Sequence, residues 1–248
     1  MEKKWRSAAA RRLKELAGTT TVEAATIEIG RRLTEGQSSP PITLDAIFPH
    51  VDIQRCYADD ELSYAGELRP AEDGYEIAYC ASESPTRRRF TIAHEIAHAV
   101  FERTGPHCPR RGRELEQICN LIASQILIPD DSLRKTVTYP LSLCQLSGLA
   151  ARYETSLTSM VIRCAADFSL VAVEEENDEL TWFNCPITAD LVTPRVQLQK
   201  LTRLAENDAT GSRRCRMELR RGVRDSIMEW TATGEDRRIF VFCEVRSG

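Results

Sequence analysis

The sequence has no C-x-x-C pair, and its nine cysteines are an odd number scattered from Cys56 to Cys243. That excludes a knuckle-type structural zinc site and argues for free thiols in a reducing compartment rather than a disulfide framework. No apolar run approaches the ~20 residues needed to cross a bilayer. The opening stretch, MEKKWRSAAARRLKELAG, breaks every short apolar segment with Arg or Lys, so the apolar core of a signal peptide is missing. The expected location is therefore the cytoplasm, with no membrane partner. There is no internal repeat and no low-complexity tract. Net charge is −4 over 248 residues, too mild to argue for or against a nucleic-acid partner, because local patches matter more than the sum. Histidine is scarce. The chain has four, His50, His94, His98 and His107, and three of them fall within fourteen residues.

What is present is ordinary for a globular chain, 42% hydrophobic and 28% charged. The length suits one generous domain, or a catalytic domain with a smaller one appended. Residues 4–17 carry Trp5, Ala9, Leu13 and Leu16 at helical spacing. A second helix is expected from Thr20, with Glu23 completing a capping box. GQSSPP, residues 36–41, reads as a turn. Residues 50–81 read as short strands, ending in the alternating GYEIAYC after Pro70 and Asp73-Gly74. Helices follow: one from Thr86, one over RELEQICNLIASQILIP stopped by Pro129, and a pair at 141–168 expected to pack into the same body. Beyond about residue 170 the texture changes to strands, with a helix near 194–206. The expected organisation is thus a domain over 1–169 and a second over 170–248.

The chemistry lies in RRRFTIAHEIAHAVFE, residues 87–102. His94 and His98 are four residues apart, so a helix presents both imidazoles on one face and both can converge on one ion. Glu95 stands beside them without being forced to ligate, and can take a proton from an attacking water. The plain alternative is a set of polar residues satisfied inside a core helix. Against it, the surrounding residues are apolar almost all round, and burying these groups unpaired costs several kcal/mol, roughly. A catalytic zinc usually takes three protein ligands. Glu116 is the candidate for the third, with Glu114 its rival. Asn120, one turn after Glu116, is placed to hydrogen-bond a ligand histidine and fix its tautomer.

These two segments, RRRFTIAHEIAHAVFE and ELEQICNLIASQILIP, resemble the ImmA/IrrE family of bacterial zinc metallopeptidases. The pattern R-x-x-F-T-x-A-H-E-x-x-H falls on Arg87, Phe90, Thr91, Ala93, His94, Glu95 and His98. Its second half, E-x-x-x-N-x-x-A-x-x-x-L-x-P, falls on Glu116, Asn120, Ala123, Leu127 and Pro129. Cys119 and Ile122 depart from the usual residues but keep apolar positions. The resemblance covers roughly residues 20–168. It implies an α+β fold: a mainly helical, zincin-like metallopeptidase domain with a small β-sheet, then a smaller α/β, GAF-like sensor domain. It implies one zinc per chain on His94, His98 and Glu116, with Glu95 as the base. It also implies a job: cutting a helix-turn-helix transcriptional repressor, so releasing genes for stress, DNA-damage response or anti-phage defence, with single-stranded DNA as an activator.

Three further features ask for a role. The substrate is expected to lie extended against the strand at 75–81, taken as a sheet edge; the alternative is a plain core strand. Cys108, in the loop GPHCPRRG between the two motif helices, can act as an inhibitory fourth zinc ligand, as can His107; the alternative is a free thiol. GSRRCRMELRRGVR gathers Arg213, Arg214, Arg216, Arg220, Arg221 and Arg224 against Glu218, a candidate nucleic-acid contact or simply a solvated strand end.

Overall fold

The computed structural model describes residues 5–37, 39–138, 141–167, 171–176, 179–182, 210–219, 222–232 and 237–244. The chain forms two compact units. One holds Glu2–Thr136 with Arg152–Thr155, the other Val137–Ala151 with Ser156–Gly248.

The first unit opens with two capped helices. Ser7 accepts from the Ala10 N–H and starts α1, Ala8–Ala17. Trp5, expected on this helix, precedes it and donates its indole N–H to Glu23 at 2.9 Å. The cap of α2, Val22–Leu33, is Thr21 rather than Thr20: Thr21 is extended and accepts from the Ala24 N–H at 3.1 Å. A short 3₁₀ turn, Asp45–Val51, buries Ile47 and leads into β1, Ile53–Asp59. β2 is Gly66–Ala71 and β3 is Gly74–Cys80.

The strand order is β1-β3-β2, with β1 parallel and β2 antiparallel to β3. The strand expected at the edge is therefore central, and β2 is an edge. Its register explains why. The Cys80 N–H donates to the Ala65 carbonyl, so the alternation of an antiparallel ladder turns the main-chain groups of Gly66, Leu68 and Pro70 to the open side. A proline, which has no N–H, fits only there.

Two helices then face each other. Ser84 caps α3, Pro85–Glu102, with Pro85 in its first turn. α4, Arg113–Leu127, packs on both α3 and α2 and ends just before Pro129. A short helix that the sequence does not announce, α5 (Asp130–Thr136), follows at once. Ile77, Ala93, Ile96, Ala97, Ile118 and Ile122 are fully buried and make the core between sheet and helices. The unit is α+β: a helical body with a small three-stranded sheet.

The second unit contains most of α6 (Leu143–Tyr153), α7 (Leu157–Asp167) and a five-stranded antiparallel sheet. The strands are β4 (Val171–Glu176), β5 (Glu179–Trp182), β6 (Thr210–Leu219), β7 (Gly222–Ala232) and β8 (Arg237–Glu244), in the order β5-β4-β8-β7-β6. The helix pair thus groups mainly with this sheet, α7 packing against β4. Met228, Trp230 and Phe240 are buried. Gly211 pairs with Trp230, and a Cβ there would come within 2.2 Å of the indole ring, which is why this strand position lacks a side chain. The helix expected at 194–206 lies outside the described residues. No helix among the described residues is long and apolar enough to cross a membrane.

Candidate metal centre

α3 is buried through Ala93, Ile96, Ala97 and Ala99, and this fixes the helix face that carries His94 and His98. Their Nε2 atoms lie 3.1 Å apart, with the rings edge-on to each other. α4 brings Glu116 to them. Its Oε2 is 3.2 Å from His94 Nε2 and 3.5 Å from His98 Nε2. The ligand-type atoms of His94, His98 and Glu116 all fall within 4.8 Å of one another. A tetrahedral ion bound at ~2.0–2.1 Å separates its ligand atoms by about 3.3 Å, and the three spacings here bracket that value. Three donors that would crowd one another in an empty core are set at the distances one ion requires, so the residues fit a metal.

Burial and the neighbouring His94 hold His98 below the usual histidine range, Glu116 pulling the other way. A neutral imidazole is the form that ligates. Burial pushes Glu95 up to about 7 from the usual 4.5, Arg111 opposing this and the Glu116 charge adding to it. Glu95 is only 7% exposed, and the Leu68 main chain on β2 acts on its carboxylate, favouring the charged form. The open edge of the sheet is thereby tied to the candidate base.

The cleft over this centre holds about 320 Å³. Tyr64, Gly66 and Glu67 line it from β2 and the residues just before, Arg87, Phe90 and Thr91 from α3, and Arg111 and Asn120 from α4 and the loop before it. The close fit of β2 on α3 requires Gly66: a Cβ there would meet Thr91 Cγ2 at 2.5 Å and the Ala78 carbonyl at 2.9 Å.

Not every expected residue reaches the centre. Glu114, the rival ligand, accepts from the Arg6 and Ser7 main-chain N–H groups at 3.2 and 2.9 Å, turned toward the start of α1. Asn120 lines the cleft, but His94 Nδ1 is buried with no hydrogen-bond partner among the described residues, so Asn120 does not fix that ring. Cys108 stands outside the His94–His98–Glu116 group. Its thiol contacts the Pro109 carbonyl at 3.6 Å and lines a separate hollow with His107. Burial, then Glu102, pushes that thiol up to about 11, so it is protonated near neutrality. Arg213 and Arg214 are exposed on β6, an edge strand; Arg220, Arg221 and the side chains of Arg216 and Arg224 lie outside the described residues. The sequence marks Arg111, with Arg110 and Arg113, as a basic cluster beside Cys108 that could bind phosphates, but it places neither Arg111 nor β2 in the cleft, although Pro70 was a usable signal for the edge.

Residues 50–165 match the family model described as the IrrE N-terminal-like domain of Peptidase_M78. This stretch is similar to an IrrE N-terminal-like domain. It contains the small sheet, both motif helices and the helix pair, and it bears out the ImmA/IrrE resemblance carried by the motifs. The family name marks a metallopeptidase, and the His-His-Glu group is a candidate metal site of the matching kind. A Mycobacterium tuberculosis transcriptional regulator has a similar fold, with a TM-score of 0.54 at 14% identity over 96% of this chain and 86% of that one. At that identity the likeness is one of fold. No curated protein matches the chain.

Proposed function

We propose that the chain is a zinc-dependent, site-specific endopeptidase. Its substrate is a helix-turn-helix repressor whose cutting releases stress, DNA-damage or defence genes, and single-stranded DNA activates it. The observation that carries this reading is the convergence of His94, His98 and Glu116 at ion-ligand spacing with a buried Glu95 beside them. The IrrE N-terminal-like match and the regulator-like neighbour support a repressor-cleaving or regulatory role.

His94, His98 and Glu116 would hold one zinc. When bound, the ion supplies a positive charge that acidifies water and polarises a peptide carbonyl. Glu95 takes the proton of the attacking water on a carboxylate oxygen and passes it to the leaving amine nitrogen. The Leu68 main chain favours the charged form of that carboxylate. An extended substrate pairs with β2, where Gly66 offers its N–H and carbonyl and Leu68 its carbonyl. Asn120 acts from the rim of the cleft. Cys108 serves as a latch only after its loop moves, since its thiol lies outside the ligand group.

The catalytic domain is proposed to span 1–169, which the end of the family match at 165 supports, and 170–248 to be a GAF-like sensor presenting Arg213 and Arg214. The enzyme is assigned to the cytoplasm. A second reading, a non-catalytic regulator binding DNA or protein with zinc purely structural, draws on the neighbour's name. It leaves Glu95 without a task, because a structural site needs no base. The test mixes the protein with the helix-turn-helix protein encoded beside its gene, with and without single-stranded DNA, and with Glu95→Gln in parallel. Specific cleavage lost in Glu95→Gln is expected. No cleavage in any lane with zinc bound would favour the regulator.

A further inference from the structure

Among the described residues of the first unit, eight arginines each hold a carboxylate. Arg87 and Arg111 do not. Among the described residues neither guanidinium makes an ion pair or hydrogen bond, and that of Arg87 lies over the Phe90 ring, 5.9 Å from its centre. Both are exposed, and both line the cleft. They come from different elements, Arg87 from the first turn of α3 and Arg111 from the loop before α4. Arg87 precedes His94 by seven residues, about 10 Å of helix rise, which an extended chain spans in about three residues. Arg111 sits on the loop entering α4, with Glu95, His98 and Cys108 in its field. No acid of the cleft forms an ion pair with either cation among the described residues, although the Arg111 charge acts on Glu95. Glu67 is held by Tyr64 and Arg69, and Glu95 and Glu116 face the centre, where a bound divalent ion would offset them. Beside Arg111, Arg110 of the same loop and Arg113 at the start of α4 line a neighbouring hollow shared with Arg6, again with no side-chain ion pair among the described residues.

We infer that the cleft selects an acidic polypeptide. One substrate carboxylate, about three residues from the scissile bond, meets Arg87, and another on the far side of that bond meets Arg111. This rests on the peptidase reading and names its substrate class. A single nucleic-acid strand would also seek cations, but strands bind by stacking bases on aromatic rings. In the cleft the Phe90 ring is already covered by Arg87, which leaves Tyr64, tied to Glu67, as the exposed ring, and the hollow around Arg110 and Arg113 has no aromatic ring beyond the His107 imidazole.

The test uses zinc-loaded Glu95→Gln protein, which holds peptide without cutting it. Three short fluorescein-labelled peptides, identical except for Glu, Gln or Lys at two positions about five residues apart, are titrated at low salt. The Glu peptide is expected to bind roughly tenfold more tightly than the Gln peptide, as two exposed pairs allow, with the Lys peptide weakest. Arg87→Gln with Arg111→Gln should erase that order. Equal affinity for all three, or binding of none, overturns the assignment. So does displacement of the Glu peptide by a short oligothymidylate whose own binding is lost in the double variant, since the cations would then serve a nucleic acid. If the unmodified enzyme cuts a repressor while the three peptides bind alike, the peptidase reading stands and the acidic selection falls.

Discussion

The two helices that bring the ligands together are built differently. α3 is apolar around most of its circumference, and the His98 side chain is 8% exposed. α4 is amphipathic, and the Glu116 side chain is 46% exposed. The imidazole pair is thus set by the core before any ion arrives, whereas the carboxylate comes from the solvent side and is ordered by what it binds. Preorganised nitrogens with one adaptable oxygen suit a centre that must admit a substrate next to the ion. Glu95 belongs to the fixed side, buried and tied to β2.

The largest expected effect separates chemistry from binding on the fixed helix. Glu95→Gln should lower cleavage by about a thousandfold, within the usual range for losing a general base, while metal content measured by elemental analysis stays unchanged. Loss of metal in that variant would make Glu95 a ligand and undo the division of roles. Next, the two helices should answer ligand removal unequally. His98→Ala leaves a buried gap that water fills poorly, so metal affinity should fall by well over the ~100-fold typical of losing an outer partner. Glu116→Ala opens a position that solvent already reaches, and the fall should be nearer that figure. Equal losses in a competitive chelator titration would show that α4 is as rigid as α3.

A third expectation concerns the metal-free protein. Glu95 binds its proton more tightly folded than unfolded, because burial raises it to about 7 from 4.5. Its contribution is therefore fully present below about pH 4.5 and is lost as pH rises to about 7, by up to about 3 kcal/mol. Urea unfolding of the metal-free chain at pH 5 and pH 8 should show this decline. In metal-free Glu95→Gln it should shrink, leaving the variant the more stable of the two at the higher pH. An unchanged slope would mean that Glu95 stays hydrated in the unloaded cleft.

Much of this centre was legible before any coordinates. His94 and His98 at i and i+4 can only share a helix face, and apolar neighbours on all sides imply that the face is buried. Glu116 against Glu114 was open from periodicity alone. The structure separates them because two residues of helix turn the chain by about 200°, so Glu114 points instead at the start of α1. The cap at Thr21 was missed by one residue, since Thr19, Thr20 and Thr21 are equivalent by type and only the extended backbone of Thr21 decides. The sheet edge was misplaced for a different reason. Alternation in GYEIAYC reports two-sided packing but not how many neighbours a strand has, whereas Pro70, read only as part of a turn, excluded β2 from the centre of the sheet. Arg111 lies in a loop with no periodicity, so only the fold could bring it beside Glu95.

The smallest effect tests how tightly the edge strand is seated on the fixed helix. Gly66→Ala places a methyl 2.5 Å from Thr91 Cγ2 and 2.9 Å from the Ala78 carbonyl. One neighbour is a side chain and the other is sheet backbone, so the strand must lift from α3 at a cost of roughly 1–3 kcal/mol. Thr91→Ser in the same chain removes only the first contact and should restore part of the loss in thermal unfolding. Thr91 lies one turn before His94, on α3. A lifted β2 should therefore disturb the Leu68 main chain and the substrate edge more than the ligands, lowering cleavage while the zinc content holds. If zinc is lost along with cleavage, the imidazole pair owes its position to β2 as well as to the core, and the contrast between a fixed α3 and an adaptable α4 must be redrawn to include the strand.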